Sequence, residues 1–263
     1  MIPNRESSAE RPNEDLHELA VAGEPTEKAP AAEPAAVAES EGNASWFERS
    51  ELREGVLLLG GSSLADFRVR YAQSQLRRDL TPSFWSACGL VSQDGTFRTV
   101  PLQPADVSEV PATNGVRNLS IEDIDDPVRW PNIAVLQFAR DAATVERYAT
   151  TVAERRTIID LPDLLLAWLG YVWAAGNSEN PLARGQGVPG AAYVETAYSL
   201  AGIELTPGLS SAASCPEAIW QAVKWWHEYY DGVVEIGAGE AGAVRPRGYY
   251  LVRQAAAAVA WPR

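Results

Sequence analysis

Apolar positions in this chain fall into short unbroken runs and longer stretches of helical spacing, separated by glycine, proline and polar clusters. Residues 55–60 (Gly-Val-Leu-Leu-Leu-Gly) are apolar without alternation, which predicts a strand buried on both faces. Ser62 or Ser63 can cap a helix through residue 79, with Leu64, Phe67, Tyr71 and Leu76 inward. Thr81-Pro82-Ser83 breaks it. Residues 84–91 and 96–102 read as strands joined by the Asp94-Gly95 turn. Residues 103–130 are loop-rich, with a second turn at Asn114-Gly115, and 132–138 is a further strand. Helical spacing returns over 141–156 and 160–175, with Gly176 as a stop. A glycine- and proline-punctuated loop over 177–190 leads into a helix ending at Gly202. Ser214-x-x-Glu217, with Pro216 in the first turn, matches a capping box and opens a helix to about residue 227. Residues 233–236 and 249–252 are late strands. Strands and helices are grouped rather than alternating, so the predicted class is α+β. No internal repeat is visible.

Composition changes the picture mainly at the N-terminus. Residues 1–45 carry ten Asp/Glu and three Lys/Arg, a net of −7 out of −13 for the whole chain. Such an Ala-, Pro- and Glu-rich stretch buries too little apolar surface to offset its ordering entropy, so it reads as a disordered arm ahead of a domain at 46–263. Leu16, Leu19, Ala20 and Val21 form its one amphipathic patch and a candidate anchor for a protein partner, with His17 beside it and solvated. No basic patch exists, which argues against nucleic acid and anionic membrane as partners. No apolar run reaches the roughly 20 residues of a membrane span, and no secretory signal is evident. Two cysteines in 263 residues make no disulfide framework, and the expected location is cytoplasmic.

Candidate chemistry is sparse. Two cysteines and two histidines at unrelated positions provide no metal-ligand set, and the glycine runs at 185–187 and 237–239 lack a phosphate-loop context, so no cofactor is expected. Cys215 lies at a predicted helix N-terminus, where a thiol is activated. His227, twelve residues on, is about 18 Å away along that helix, too far to act as its base. Trp225 and Trp226 are about 100° apart on a helix and cannot both face inward. With Tyr229 and Tyr230 they make an aromatic region suited to a protein interface, and His227 reads as part of it.

The ordered set of segments resembles the permuted papain-like cysteine hydrolases of the YiiX/YebB type, relatives of the NlpC-type cell-wall peptidases. The likeness spans roughly residues 53–225. Glu54-Gly55-Val56-Leu57 stands for the opening Gly-Asp strand, and Ser86-Ala87-Cys88-Gly89-Leu90 for the Ser-His-x-Gly strand, with Ala87 at the histidine. Ser108-Glu109-Val110 stands for the glutamate segment and residues 132–138 for the next strand. Gly190-Ala191-Ala192-Tyr193-Val194-Glu195 stands for the nucleophile helix, with Gly190 at the cysteine. Ser214-Cys215-Pro216-Glu217-Ala218-Ile219-Trp220 stands for the closing segment. The resemblance implies a papain-like (NlpC-type) domain in which a small antiparallel sheet packs against helices.

It also implies a site at Ala87, Glu109 and Gly190 that has lost both thiol and imidazole, with Ser86 and Glu195 lining the same pocket. Without those groups covalent catalysis collapses, leaving binding or a backbone oxyanion hole. Cys88 follows Ala87 on its strand and is expected to face away from the site as a core residue. The leading expectation is a catalytically degenerate member acting by binding, as a scaffold or accessory subunit held through residues 1–44 and the aromatic C-terminal region. Two alternatives stay open. One is an active hydrolase or acyltransferase on amide or ester bonds, with Cys215 or Cys88 as a non-standard nucleophile. The other is a structural component of a virion or protein shell.

Overall fold

A computed structural model describes residues 42–50, 52–102, 114–138, 142–174, 178–231 and 248–253. The sequence-predicted arm up to residue 41, Glu109, the stop at Gly176 and the strand at 233–236 therefore lie outside the described residues, as do the side chains of Tyr229 and Tyr230. The architecture is α+β: one antiparallel sheet with six α-helices among the described residues.

The sheet runs β4 (Arg117–Ser120), β3 (Thr96–Thr99), β2 (Ala87–Val91), β1 (Gly55–Gly60), β5 (Asn132–Phe138), β6 (Gly248–Arg253). β1 is central, paired with β2 from Gly55↔Val91 to Leu59↔Ala87 and with β5 from Val56↔Leu136 to Gly60↔Asn132. Its unbroken apolar run follows from that place, because both faces are covered. Val56 and Leu58 face the larger helical layer, while Leu57 and Leu59 face a smaller cluster with Phe47, Ile121, Ile124 and Ile133. The helical layer contains α2 (Leu64–Ala72), α3 (Ala142–Glu154), α4 (Leu161–Val172), α5 (Pro189–Leu200) and α6 (Pro216–Asp231). The opposite cluster is closed by α1 (Asn43–Arg49) and the 3-10 turn Ile121–Ile124.

Several expectations shift. Residues 43–45 belong to α1 rather than to the arm, because the Asn43 amide is buried and donates to the Ile124 carbonyl at 2.7 Å. β4, read as loop, is a short outer strand completing a hairpin with β3. On α2 the predicted inward set is partly reversed: Phe67 is buried, but Leu64, Tyr71 and Leu76 are exposed. Asp66, Val69, Arg70 and Gln73 turn inward instead. Three of these four are polar, and each has hydrogen-bond partners waiting: Asp66 accepts from Ser86, Arg70 Nε donates to the Ser83 carbonyl, and Gln73 Nε2 donates to the Trp85 carbonyl. Apolar periodicity could not find a face that hydrogen bonds hold down.

Ser63 is the cap of α2, accepting from Asp66 N, with Asp66 returning the bond in a capping box. The expected capping box at Ser214 and Glu217 does not form. Ser214 Oγ is turned to Glu195. Glu217 N instead donates to Gln73 Oε1 of α2 at 2.9 Å, a cap supplied across 144 residues of sequence.

Candidate functional site

The first turn of α5 lies directly on β2. A Cβ placed on Gly190 would sit well under 3.0 Å from the Cys88 carbonyl oxygen and 3.1 Å from Thr99 Oγ1. Thr99 Oγ1 itself donates to that carbonyl at 2.6 Å. Every residue of α5 from Pro189 to Tyr198 is buried, because the helix is wedged between the sheet and the other helices. Small residues at 190–192 are what permit this approach: Ala191 and Ala192 are fully buried too. The helix N-terminus expected to present a nucleophile thus touches the expected histidine strand, and the space a side chain would need is filled by backbone.

The strand register places the individual side chains. Leu58 pairs with Cys88 and Leu59 with Ala87, so Cys88 shares the helical face with α5 while Ala87 packs on the other face. This corrects the expected orientation: Cys88, not Ala87, faces the α5 layer. Burial is the main reason the Cys88 thiol is held well above its ordinary range, with the Glu195 carboxylate and Cys215 adding to it. Cys215 precedes α6, and the Ala218 and Glu217 amides favour its thiolate. Burial outweighs them and pushes the thiol up to about 12. A helix N-terminus activates a thiol only where the thiolate can be solvated. His227 lies on the same continuous helix α6, twelve residues from Cys215, and supplies it with no base.

Comparison with known proteins finds no matching family model, no matching curated protein and no matching solved structure.

Ser86 is nearly fully buried and belongs to a polar knot that the sequence did not reveal. Its Oγ donates to Asp66 Oδ1 at 2.9 Å and accepts from Gly61 N at 2.9 Å. Arg129 forms an ion pair with the other Asp66 oxygen and stacks over Trp130. The one signal available in sequence was Ser63-x-x-Asp66; that Ser86 and Arg129 join it depends on the fold. Ser86 is held as a structural donor, with Asp66 fully engaged by the helix cap and the arginine.

Glu195 does not line an opening beside Gly190. It is buried, accepting from Thr206 N at 3.1 Å and Ser214 Oγ at 3.4 Å, where it ties α5 to the segment before α6. Burial raises its pKa, and these hydrogen bonds oppose the shift without cancelling it. A carboxyl raised on folding binds its proton more tightly in the native state. Its contribution to stability is therefore fully present below the unfolded pKa and is lost as pH rises through the folded one. Glu195→Gln keeps the acceptor for Thr206 and is expected to flatten the fall in melting temperature from pH 4 to pH 8. Thermal unfolding at both pH values checks it: an unchanged slope would show that Glu195 does not set this pH dependence.

The aromatic pair behaves as its spacing requires. Trp225 is 54 % exposed while Trp226 is half-buried, and their rings meet edge to face at 4.5 Å. Among the described residues no three His, Cys, Asp or Glu side chains gather as a metal-ligand group, and no helix is long and apolar enough to cross a membrane.

Proposed function

We propose that this chain is a binding protein built on a permuted papain-like frame of the YiiX/NlpC type, in which the reacting groups of the hydrolase are gone. Support for the frame comes from element order: an opening strand, a helix, a second strand, then a later helix whose first turn seats on that second strand. The observation that carries the loss of catalysis is the Gly190 contact. A Cβ at Gly190 would meet the Cys88 carbonyl oxygen, so the position has no room for a nucleophile's side chain. The two thiols present are buried and poorly ionised, and thiolate character governs cysteine reactivity. Partner contact is assigned to the exposed part of α6 around Trp225, where a large aromatic surface offers an interface anchor.

Native full-length chain treated with a fluorescent chloroacetamide at pH 7 is expected to label neither Cys88 nor Cys215 within minutes, and to label both in guanidinium chloride. Peptide mapping by mass spectrometry reads the two sites separately. Rapid, saturable labelling of either cysteine in the folded chain would overturn the reading in favour of an active thiol.

A further inference from the structure

We propose that the cavity between the start of β1, the β2–β3 turn and the first turn of α3 binds a small organic cation, an ammonium group on an apolar stem. It is an open cleft of about 340 Å³, at the small end of the roughly 300–1,000 Å³ typical of ligand pockets. It is separate from the Gly190 contact: Tyr198, in its wall, is eight residues further along α5, about 12 Å at helical rise. The proposal does not depend on the hydrolase-like frame.

Chemistry of the wall selects the ligand. Leu90, Val145 and Tyr198 supply apolar surface, and Glu54, Asp94 and Glu146 supply three carboxylates, with no Lys, Arg or His among the described lining residues. Two of those carboxylates are occupied. Glu146 forms an ion pair with Arg98, and Asp94 is turned into its own bend, accepting from Thr96 N at 3.0 Å. Glu54 has only a neutral donor, Gln93 Nε2 at 2.8 Å. A carboxylate at the mouth of an apolar cavity with no cation of its own favours a positively charged group and disfavours an anion.

Tyr198 gives a second, independent pointer. It is 3 % exposed and its ring packs edge to face on Phe138 at 5.7 Å, yet its hydroxyl is not among the fully buried unpaired atoms and the residue lines the cavity. A hydroxyl that solvent reaches only through the cavity is free to bond a molecule that enters it. The Glu54 carboxylate is near enough to contribute to raising the phenol's pKa, behind burial and Cys88. The Glu54 carboxylate and the Tyr198 hydroxyl line one cavity with Leu90 and Val145, a polar end for an ammonium and an apolar surface for its stem. An amine of this kind can be a free metabolite or the lysine side chain of a peptide.

The test titrates the full chain by isothermal calorimetry at pH 7 with phenethylamine, Nα-acetyl-lysine N-methylamide, 2-phenylethanol and 3-phenylpropanoate. Saturable binding of at least one ammonium probe is expected, with the alcohol at least tenfold weaker and the propanoate silent. The better ammonium probe tells a free amine from a lysine side chain. Glu54→Gln is expected to weaken that probe at least tenfold. Ala143→Trp, an exposed position on the rim, is expected to abolish binding by filling the mouth. Tyr198→Phe reads the hydroxyl alone, with a several-fold loss. The proposal fails if neither ammonium binds, if the propanoate binds as tightly, or if E54Q and A143W leave affinity unchanged with native circular dichroism.

Discussion

Gly190→Cys is expected to cost the protein stability and to gain it no hydrolase activity. The new Cβ would fall well under 3.0 Å from the Cys88 carbonyl oxygen, and that oxygen belongs to backbone in a strand paired with central β1. That oxygen is backbone and cannot swing away as a flexible side chain could. Relief requires α5 to move off β2, which disturbs Thr99 Oγ1 on the same carbonyl and the buried stretch from Pro189 to Tyr198. Overpacking usually costs about 1–3 kcal/mol and more where backbone must shift, so roughly 3 kcal/mol is expected here. At about 2–4 °C per kcal/mol for a domain of this size, the melting temperature falls by roughly 6–12 °C. Gly190→Ala should fall nearly as far, since the first carbon causes the clash.

Gly170 in α4 is the control: a Cβ there meets only Ser178 Oγ, at 3.4 Å. Gly170→Ala is expected to stabilise by up to about 1 kcal/mol through helix propensity. A Gly190→Cys chain as stable as its parent, with a thiol that reacts rapidly, would show that the nucleophile's place is open after all. Double replacement with Ala87→His is expected to restore nothing further, because the Ala87 side chain packs on the opposite face of the sheet.

Glu217→Ala is expected to be the most damaging single truncation in the helical layer. The carboxylate is fully buried, accepting from Ser83 Oγ at 2.6 Å and from Gln221 Nε2, with Arg77 Nη1 at 3.5 Å. Its own amide is held by Gln73. α2, the loop before β2 and α6 therefore meet at this one residue. Truncation leaves a buried hydroxyl without its acceptor and a mostly buried guanidinium without one of its two carboxylates, Asp79 remaining as the other. Removing one partner of a buried charged pair costs about 3–5 kcal/mol, a fall of roughly 6–20 °C in melting temperature. Glu217→Gln retains an acceptor oxygen but not the charge, and should lose distinctly less. Chemical denaturation of E217A, E217Q and S83A separates these contributions. A loss below about 1 kcal/mol for E217A would mean the network adds little beyond solvated groups.

Much of the layout was readable because burial writes a simple pattern. The doubly buried β1 run, the Asp94-Gly95 turn into β3, β5, the cores of α3 to α5 and the helix stop at Gly202 all follow from local apolarity and turn chemistry. What escaped was held by polar groups acting at a distance. Asp66 and Arg70 of α2 and Gln73 at its end are buried polar residues, the cap on Glu217 comes from Gln73, and β4 forms only because β3 offers it a partner. None of these leaves a periodic trace in its own segment. The candidate site divides along the same line: the glycine and alanines at 190–192 were legible as small residues, but not the contact they allow.

By itself, then, the sequence determined that Cys215 and His227, twelve residues apart along one helix, cannot form a dyad there. It also determined the α+β class, through runs and periods that any compact fold must bury. Only the tertiary structure decided which face of β2 meets α5, that the Gly190 position is closed, and that Glu54 and Tyr198 share a cavity. Strand register assigns side chains to faces with a period of two, and a one-residue change reverses them all. That register is set by pairing with β1, from residues some thirty positions away, and no local pattern within 86–90 records it.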